Sequence, residues 1–244
     1  MIQIKMFKDY KLNGYTLIEG FPGAGLVGPM ASSYMIEKLK MDYIGYIASD
    51  DFPPIAAVHF GKPMFPVRIY KSDTYKILII IAEFTIPTNA IFALADELWA
   101  FIRKQGLKQV ISIGGMPSAK PTNNAFAIST SEELSDKLKK AGIKTIEEGV
   151  VAGVSALLLA NSYQYKIPVV DMLVQVDPTA MDPKYAVTAI TNLKKVINID
   201  INTDELEREA KVIEAKVRDI IKKTRDSHED YKNATEATGP SMYA

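Results

Sequence analysis

Short, almost wholly apolar runs alternate along the chain with longer stretches whose apolar residues return every three or four positions. The runs "YTLIE" (15–19), "YIGYIA" (43–48), "KILIIIAEF" (76–84), "QVISIG" (109–114) and "PVVDMLVQV" (168–176) read as strands. Those at 76–84 and 168–176 have the pattern of strands covered on both faces. "AAVHFGKPMFPVRIYK" (56–71) breaks at Gly61-Lys62-Pro63 and is expected to be a hairpin at a sheet edge. The alternation predicts an α/β fold with a mostly parallel central sheet covered by helices.

The helical stretches carry start and stop signals. Thr88 is placed to cap "NAIFALADELWAFIRKQ", which stops at Gly106. Thr130 and Glu133 have the spacing of a capping box for "SEELSDKLKKAG". Asp182, with Pro183 behind it, opens "KYAVTAITNLKKVIN". "AGVSALLLANSYQY" (152–165) is apolar nearly all round and is expected to be a buried helix.

The pattern changes at Asn202, which divides the chain into a body (1–201) and a C-terminal helical extension (202–244). Asn202 and Glu205 predict a capped helix start. Leu206, Ala210, Ile213, Val217 and Ile220 then follow spacings of 4, 3, 4 and 3, an a/d seam of about two heptads. Two uses are open: a terminal helix lying on its own domain, or a seam that gathers copies into an oligomer. After Ile221 the apolar residues nearly stop. A helix over 203–232 would be about 45 Å long at about 1.5 Å per residue, with no stripe to bury in its second half. "NATEATGPS" is a polar, flexible linker, and Met242, Tyr243 and Ala244 follow it.

Composition narrows the function. The 244 residues are 48% hydrophobic and 24% charged, with a net charge of zero. That balance offers no basic stripe for nucleic acid. There is no cysteine, which excludes disulfides, thiol catalysis and Cys-zinc sites, and the two histidines, His59 and His228, stand far apart in sequence. No metal site is expected. The N-terminus lacks the apolar region of a signal peptide, and the longest apolar run, "VVAGVSALLLA", is about half a membrane span. A cytoplasmic protein without a membrane partner is the expectation.

"GFPGAGLVG" (20–28) holds Gly23-x-Gly25-x-x-Gly28, the spacing of the dinucleotide fingerprint, after a strand and before a helix. Asp50 lies 22 residues beyond Gly28 and follows the next strand, where a ribose-binding acid belongs. Against this, Pro22 and Pro29 remove N–H donors, and Asp50 opens a Pro-rich turn rather than a second crossover. The other reading is that these glycines let strand, turn and helix pack tightly. No P-loop or Gly-x-Ser-x-Gly elbow occurs. Ser155 reads as a buried helical serine. Glu83, after an apolar strand, reads as a turn acid or a cleft acid. Asp177 reads as an Asx turn before Pro178, and His59 as a packing or surface residue. No residue qualifies as catalytic.

With "GFPGAGLVGPMASSYMIEKL", "ASDDFPP" (48–54), "ISIGGMPS" (111–118) and "EEGVVAGVSALLLA" (147–160), the chain resembles the proteasome-assembly-chaperone family in its archaeal and bacterial branch, over about residues 10–195. The resemblance implies a three-layer α/β/α domain like that of purine nucleoside phosphorylases, with no reaction and no cofactor; no constellation for ATP and magnesium is present. It makes the glycine loop a signature of the fold. Archaeal members that act on proteasomes resemble this chain in a long C-terminal helical extension ending in a hydrophobic residue, a tyrosine and one more residue, which Met242-Tyr243-Ala244 matches. The partners so implied are α-subunits of the proteasome core particle, bound by tails that a homo-oligomer, tetramer or pentamer, presents. Tyr243 offers a ring and a hydroxyl, Met242 an adaptable apolar side chain, and Ala244 a carboxylate for a pocket lysine. The alternative is a nucleotide- or nucleoside-binding enzyme using Gly23, Gly25, Gly28 and Asp50.

Overall fold

Four strands buried on both faces, rich in apolar residues, form the centre of the fold in the computed structural model. Residues 1–59, 61–122, 124–208, 219, 222, 223 and 226 are described. In chain order the elements are β1 (Gln3–Met6), β2 (Thr16–Gly20), α1 (Val27–Lys38), β3 (Asp42–Ala48), β4 (Ala57–His59), β5 (Lys62–Met64), β6 (Val67–Ser72) and β7 (Ile77–Ala82). Then come α2 (Ile91–Gln105), β8 (Gln109–Pro117), β9 (Ala125–Ser129), α3 (Glu132–Lys140), β10 (Lys144–Thr145), α4 (Val154–Tyr165), β11 (Val169–Val176), α5 (Pro183–Val196) and α6 (Asp204–Arg208). The main sheet runs β1-β3-β6-β7-β2-β8-β11-β9-β10.

Strand alternation sorts the core into two layers. Ile18, Ile79, Ile111 and Met172 face α1, α3 and α5 on one side. Leu17, Leu78, Ile80 and Val110 face α2 and α4 on the other. The helix–sheet–helix layering is as expected, but the sheet is mixed. Parallel pairing is confined to β7-β2-β8-β11 and to β9-β10. The strands β1, β3, β6 and β7 pair antiparallel, and between β6 and β7 the turn at 73–76 is too short for a parallel crossover.

The segment 56–71 also differs from expectation. β4 and β5 pair only with each other, as a separate ribbon. β6 does not lie at an edge; it enters the sheet between β3 and β7. The α4 stretch is a helix, yet Tyr163 is 72% exposed, because no further layer of described residues covers its outer side. Caps fall partly elsewhere. Ser131, not Thr130, accepts from the Leu134 N–H; Thr130 Oγ1 instead accepts from the Val169 N–H at 3.0 Å. No side chain caps α2, which follows a 3-10 turn at 88–90 and ends at left-handed Gly106. Asp182 caps α5 as expected, accepting from the Lys184 N–H at 2.9 Å.

Of the expected oligomer seam, Ala210, Ile213, Val217 and Ile220 lie outside the described residues, as do Met242, Tyr243 and Ala244. Leu206 is described, and the body itself uses it. It is fully buried in the layer built by α1 and α5. Asn202 Oδ1 accepts from the Asp204 N–H at 2.8 Å, Tyr34 donates to the Asn202 carbonyl at 2.7 Å, and Glu205 pairs with Lys38 rather than reaching back. The core therefore runs past the expected boundary at 201. Leu206→Ala is expected to destabilise the protein by about 2–4 kcal/mol in chemical denaturation and to leave the oligomeric state unchanged in light scattering.

Candidate functional site

The glycine stretch serves two faces of the sheet. β2 ends at Gly20, and the chain turns into α1 through a single 3-10 turn at 24–26. A Cβ on Gly28 would stand 2.7 Å from the Ile113 carbonyl oxygen and 2.8 Å from that of Phe21, so this glycine is where α1 meets the sheet backbone. Gly25 has φ +63 and sits against Val176. Gly23 has open space around it and lines a cavity. Asp50 is brought to none of these. Its side chain is 93% exposed and pairs with the N-terminal ammonium at 2.9 Å. β6 and β7 separate β3 from β2, a displacement of about 14 Å at about 4.8 Å per strand. A ribose-binding acid must end the neighbouring strand, so Gly23, Gly25, Gly28 and Asp50 do not form a dinucleotide site.

The cavity, of about 510 Å³, opens at the C-terminal ends of the four parallel strands. The chain leaves β2 for α1 on one side of the sheet and the neighbouring β7 for α2 on the other, which opens a crevice between them. Thr88 before α2 and Ile91 at its start form one wall; Val151–Ser155, leading into α4, form another. Ser155 thus borders the cavity and is not the buried helical serine its sequence implies. Across the floor, register places Glu19 opposite Ser112 and Ser112 opposite Asp171, a polar row over three adjacent strands. The row is flanked by Ile80 on β7 and Ile128 on β9.

All three side chains of the row are buried. Glu19 Oε1 accepts from the Phe21 N–H at 2.7 Å. Ser112 Oγ and Asp171 Oδ2 have no hydrogen-bond partner among the described residues. Burial pushes the Glu19 carboxyl above its usual range, opposed by the Phe21 N–H and by the nearby Ser112 hydroxyl, which makes no bond of good geometry. Burial, and then the charge of Glu19, push Asp171 up to about 7. Among the described residues, no Lys, Arg or His lines the cavity. Neither acid was marked by its motif. The available signal was a carboxyl set within a run that is otherwise apolar to both faces, "VVDMLV" above all.

A second polar cluster pins the ribbon. Arg68 Nη2 and His59 Nε2 each reach Glu83 Oε1 at 2.5 Å, and Arg68 also donates to the Phe65 carbonyl at 3.2 Å and to the Tyr70 hydroxyl at 2.9 Å. Burial acts to raise Glu83, but the bonds from His59 and Arg68 outweigh it and its pKa is lowered. Glu83 is thus an ion-paired acid and His59 a packing residue. Asp177 makes the expected Asx turn, accepting from the Thr179 N–H at 2.8 Å. Among the described residues, no group of three or more His, Asp or Glu is placed to hold a metal ion, and no helix is long and apolar enough to cross a membrane.

A fold of this kind, with its strand-end crevice and its glycine turn packed against the sheet, has known counterparts. The chain belongs to the PAC2 family, whose model matches residues 17–221. It is similar to the Methanocaldococcus jannaschii protein MJ0106, with 29% identity over 204 residues and 84% of each chain covered. Among solved structures it is similar to Pyrococcus furiosus PbaA, an archaeal homologue of proteasome-assembly chaperone. The TM-score is 0.82 at 28% identity, covering 94% of this chain and 100% of that one. Pyrococcus furiosus PbaB, an archaeal proteasome activator, shares the fold, with a TM-score of 0.73 at 20% identity over 90% of this chain and 98% of that one.

The Asp171 carboxyl makes stability depend on pH. The folded state holds its proton up to about pH 7, whereas an unfolded chain releases it near 3.9. Ionisation therefore costs nothing at low pH and most above 7, up to roughly 4 kcal/mol. Asp171→Asn is expected to gain stability over the parent as pH rises from about 5 to about 8, read as a widening difference in denaturation midpoints.

Proposed function

We propose that the chain acts by binding, without catalysis, as a proteasome assembly factor or activator. It engages the α-ring of the core particle through Met242, Tyr243 and Ala244, presented in several copies by a homo-oligomer. The observation that carries the reading is the likeness to PbaA at 28% identity over the whole of that chain, joined to membership of the PAC2 family. The extension adds to it. Tyr243 brings a ring to bury and a hydroxyl to bond, Met242 an adaptable thioether, and a polar linker precedes both. One such segment binds weakly, because it must be ordered on binding; several on one assembly gain through effective concentration. With Leu206 taken up by the body, self-association through the seam rests on Ala210, Ile213, Val217 and Ile220.

The enzyme alternative has less support. The fingerprint residues are not assembled around one site, and the cavity brings two carboxyls and no cation to meet a phosphate. Deleting 242–244 is expected to reduce capture of archaeal core particles in a pull-down by at least about tenfold, with thermal stability and oligomeric state unchanged. Tyr243→Ala is expected to reproduce most of that loss. Undiminished capture by the deletion variant overturns the tail-binding reading.

A further inference from the structure

We infer that the cavity above the Glu19–Ser112–Asp171 row is a binding site for a small organic cation, an amine or amidine carried on a compact apolar body. Three observations converge on this. Ser112 and Asp171 line the floor, and their Oγ and Oδ2 are buried with no hydrogen-bond partner among the described residues. A buried polar atom left unpaired costs roughly 1–3 kcal/mol, and more when charged, so a ligand that supplies the missing donor recovers that free energy on binding. Phe21, Ile86, Ile91 and Leu173 give the walls an apolar character. The volume of about 510 Å³ suits a small molecule, since such sites span about 300–1,000 Å³.

The sign of the charge selects the ligand. The titratable groups lining the cavity are Glu19 from β2 and Asp171 from β11; β8 and the loops before α2 and α4 bring none to it, and β9 beside β11 contains none. A phosphate or carboxylate ligand would meet like charge here. A protonated nitrogen instead meets two carboxyls in a low-dielectric setting, and its N–H groups satisfy acceptors that the protein leaves open. The site lies in the described body and does not depend on the tail, so its failure and that of the proteasome reading are separate results.

The test uses the full chain and two probes, benzamidine and agmatine, titrated by calorimetry. Saturable binding of benzamidine or agmatine at about pH 8 is expected. It should weaken roughly tenfold or more at about pH 5.5, where Asp171, held to about 7, keeps its proton. Asp171→Asn is expected to weaken binding by a similar factor while remaining folded, as its higher denaturation midpoint at pH 8 reports. Gly23→Phe supplies a steric control: a side chain there meets no atom within 4 Å at its Cβ and projects from the cavity wall, so binding should be lost with folding retained. Absence of saturable binding by both probes overturns the proposal. So does amine binding that neither variant weakens, or binding of ATP or Ca²⁺ in place of the amines that Gly23→Phe blocks.

Discussion

The approach of α1 to the sheet at Gly28 sets the geometry of the whole strand end. A helix normally stands off a sheet by the thickness of two side chains. Here the position a Cβ would take lies within 3 Å of two carbonyl oxygens, those of Ile113 and Phe21. Gly20 repeats the device from the strand side, where an added Cβ would overlap Ser32 of the helix. Backbone oxygens cannot rotate away as a long side chain can, so any larger residue would have to move the helix or the strand. That closeness brings the turn at 21–24 directly over the ends of β2 and β8, where Phe21, Pro22, Gly23 and Ala24 become a wall of the cavity. The same glycines that suggest a cofactor loop thus seat a helix on one face and shape a crevice on the other.

The cavity lies with α2 and α4 on one side of the sheet. Residues 202–206 are held on the other, the α1 side, by Leu206, by the bond from Tyr34 to the Asn202 carbonyl and by the Lys38–Glu205 pair. Among the described residues, no lining residue of the cavity follows Leu173, and none of 202–206 reaches it.

Local pattern carried the fold further than the site. Strand-forming runs marked β2, β7, β8 and β11, those at β7 and β11 with the pattern of strands covered on both faces, and the Asp182-Pro183 pair marked the start of α5, because burial and capping act on neighbouring residues. Sheet order is set by non-local pairing. Nothing in "AAVHFGKPMFPVRIYK" says that its last part will enter between β3 and β7 while its first part pairs with itself. That placement also defeated the dinucleotide reading, since Asp50 has the right distance in sequence and the wrong strand in space. Thr130 and Ser131 show the same limit at a smaller scale: either can cap α3, and the pairing of β9 with β11 draws Thr130 to Val169 instead. The polar row was hidden for a different reason. Glu19, Ser112 and Asp171 come from distant stretches and meet only through register.

The body contains two solutions to a buried acid, and their contrast argues for use rather than accident. Glu83 receives Arg68 and His59 at hydrogen-bond distance, and its charge is stabilised despite burial. The network fastens a ribbon that otherwise pairs only with itself, which is a structural task. Asp171 is more deeply covered and receives no cation; its neighbour in charge is another acid. A valine or leucine at 171 would suit a strand flanked by Ile128 and facing α4, and would remove the cost of an unpaired carboxyl. Packing alone therefore gives no reason for an acid there, and the cost falls on the floor of a crevice where a ligand can offset it. Groups held in disfavoured states cluster where proteins bind or react. In this fold the disfavoured pair sits at the strand ends, beside the glycine turn, and the favoured one sits under the ribbon.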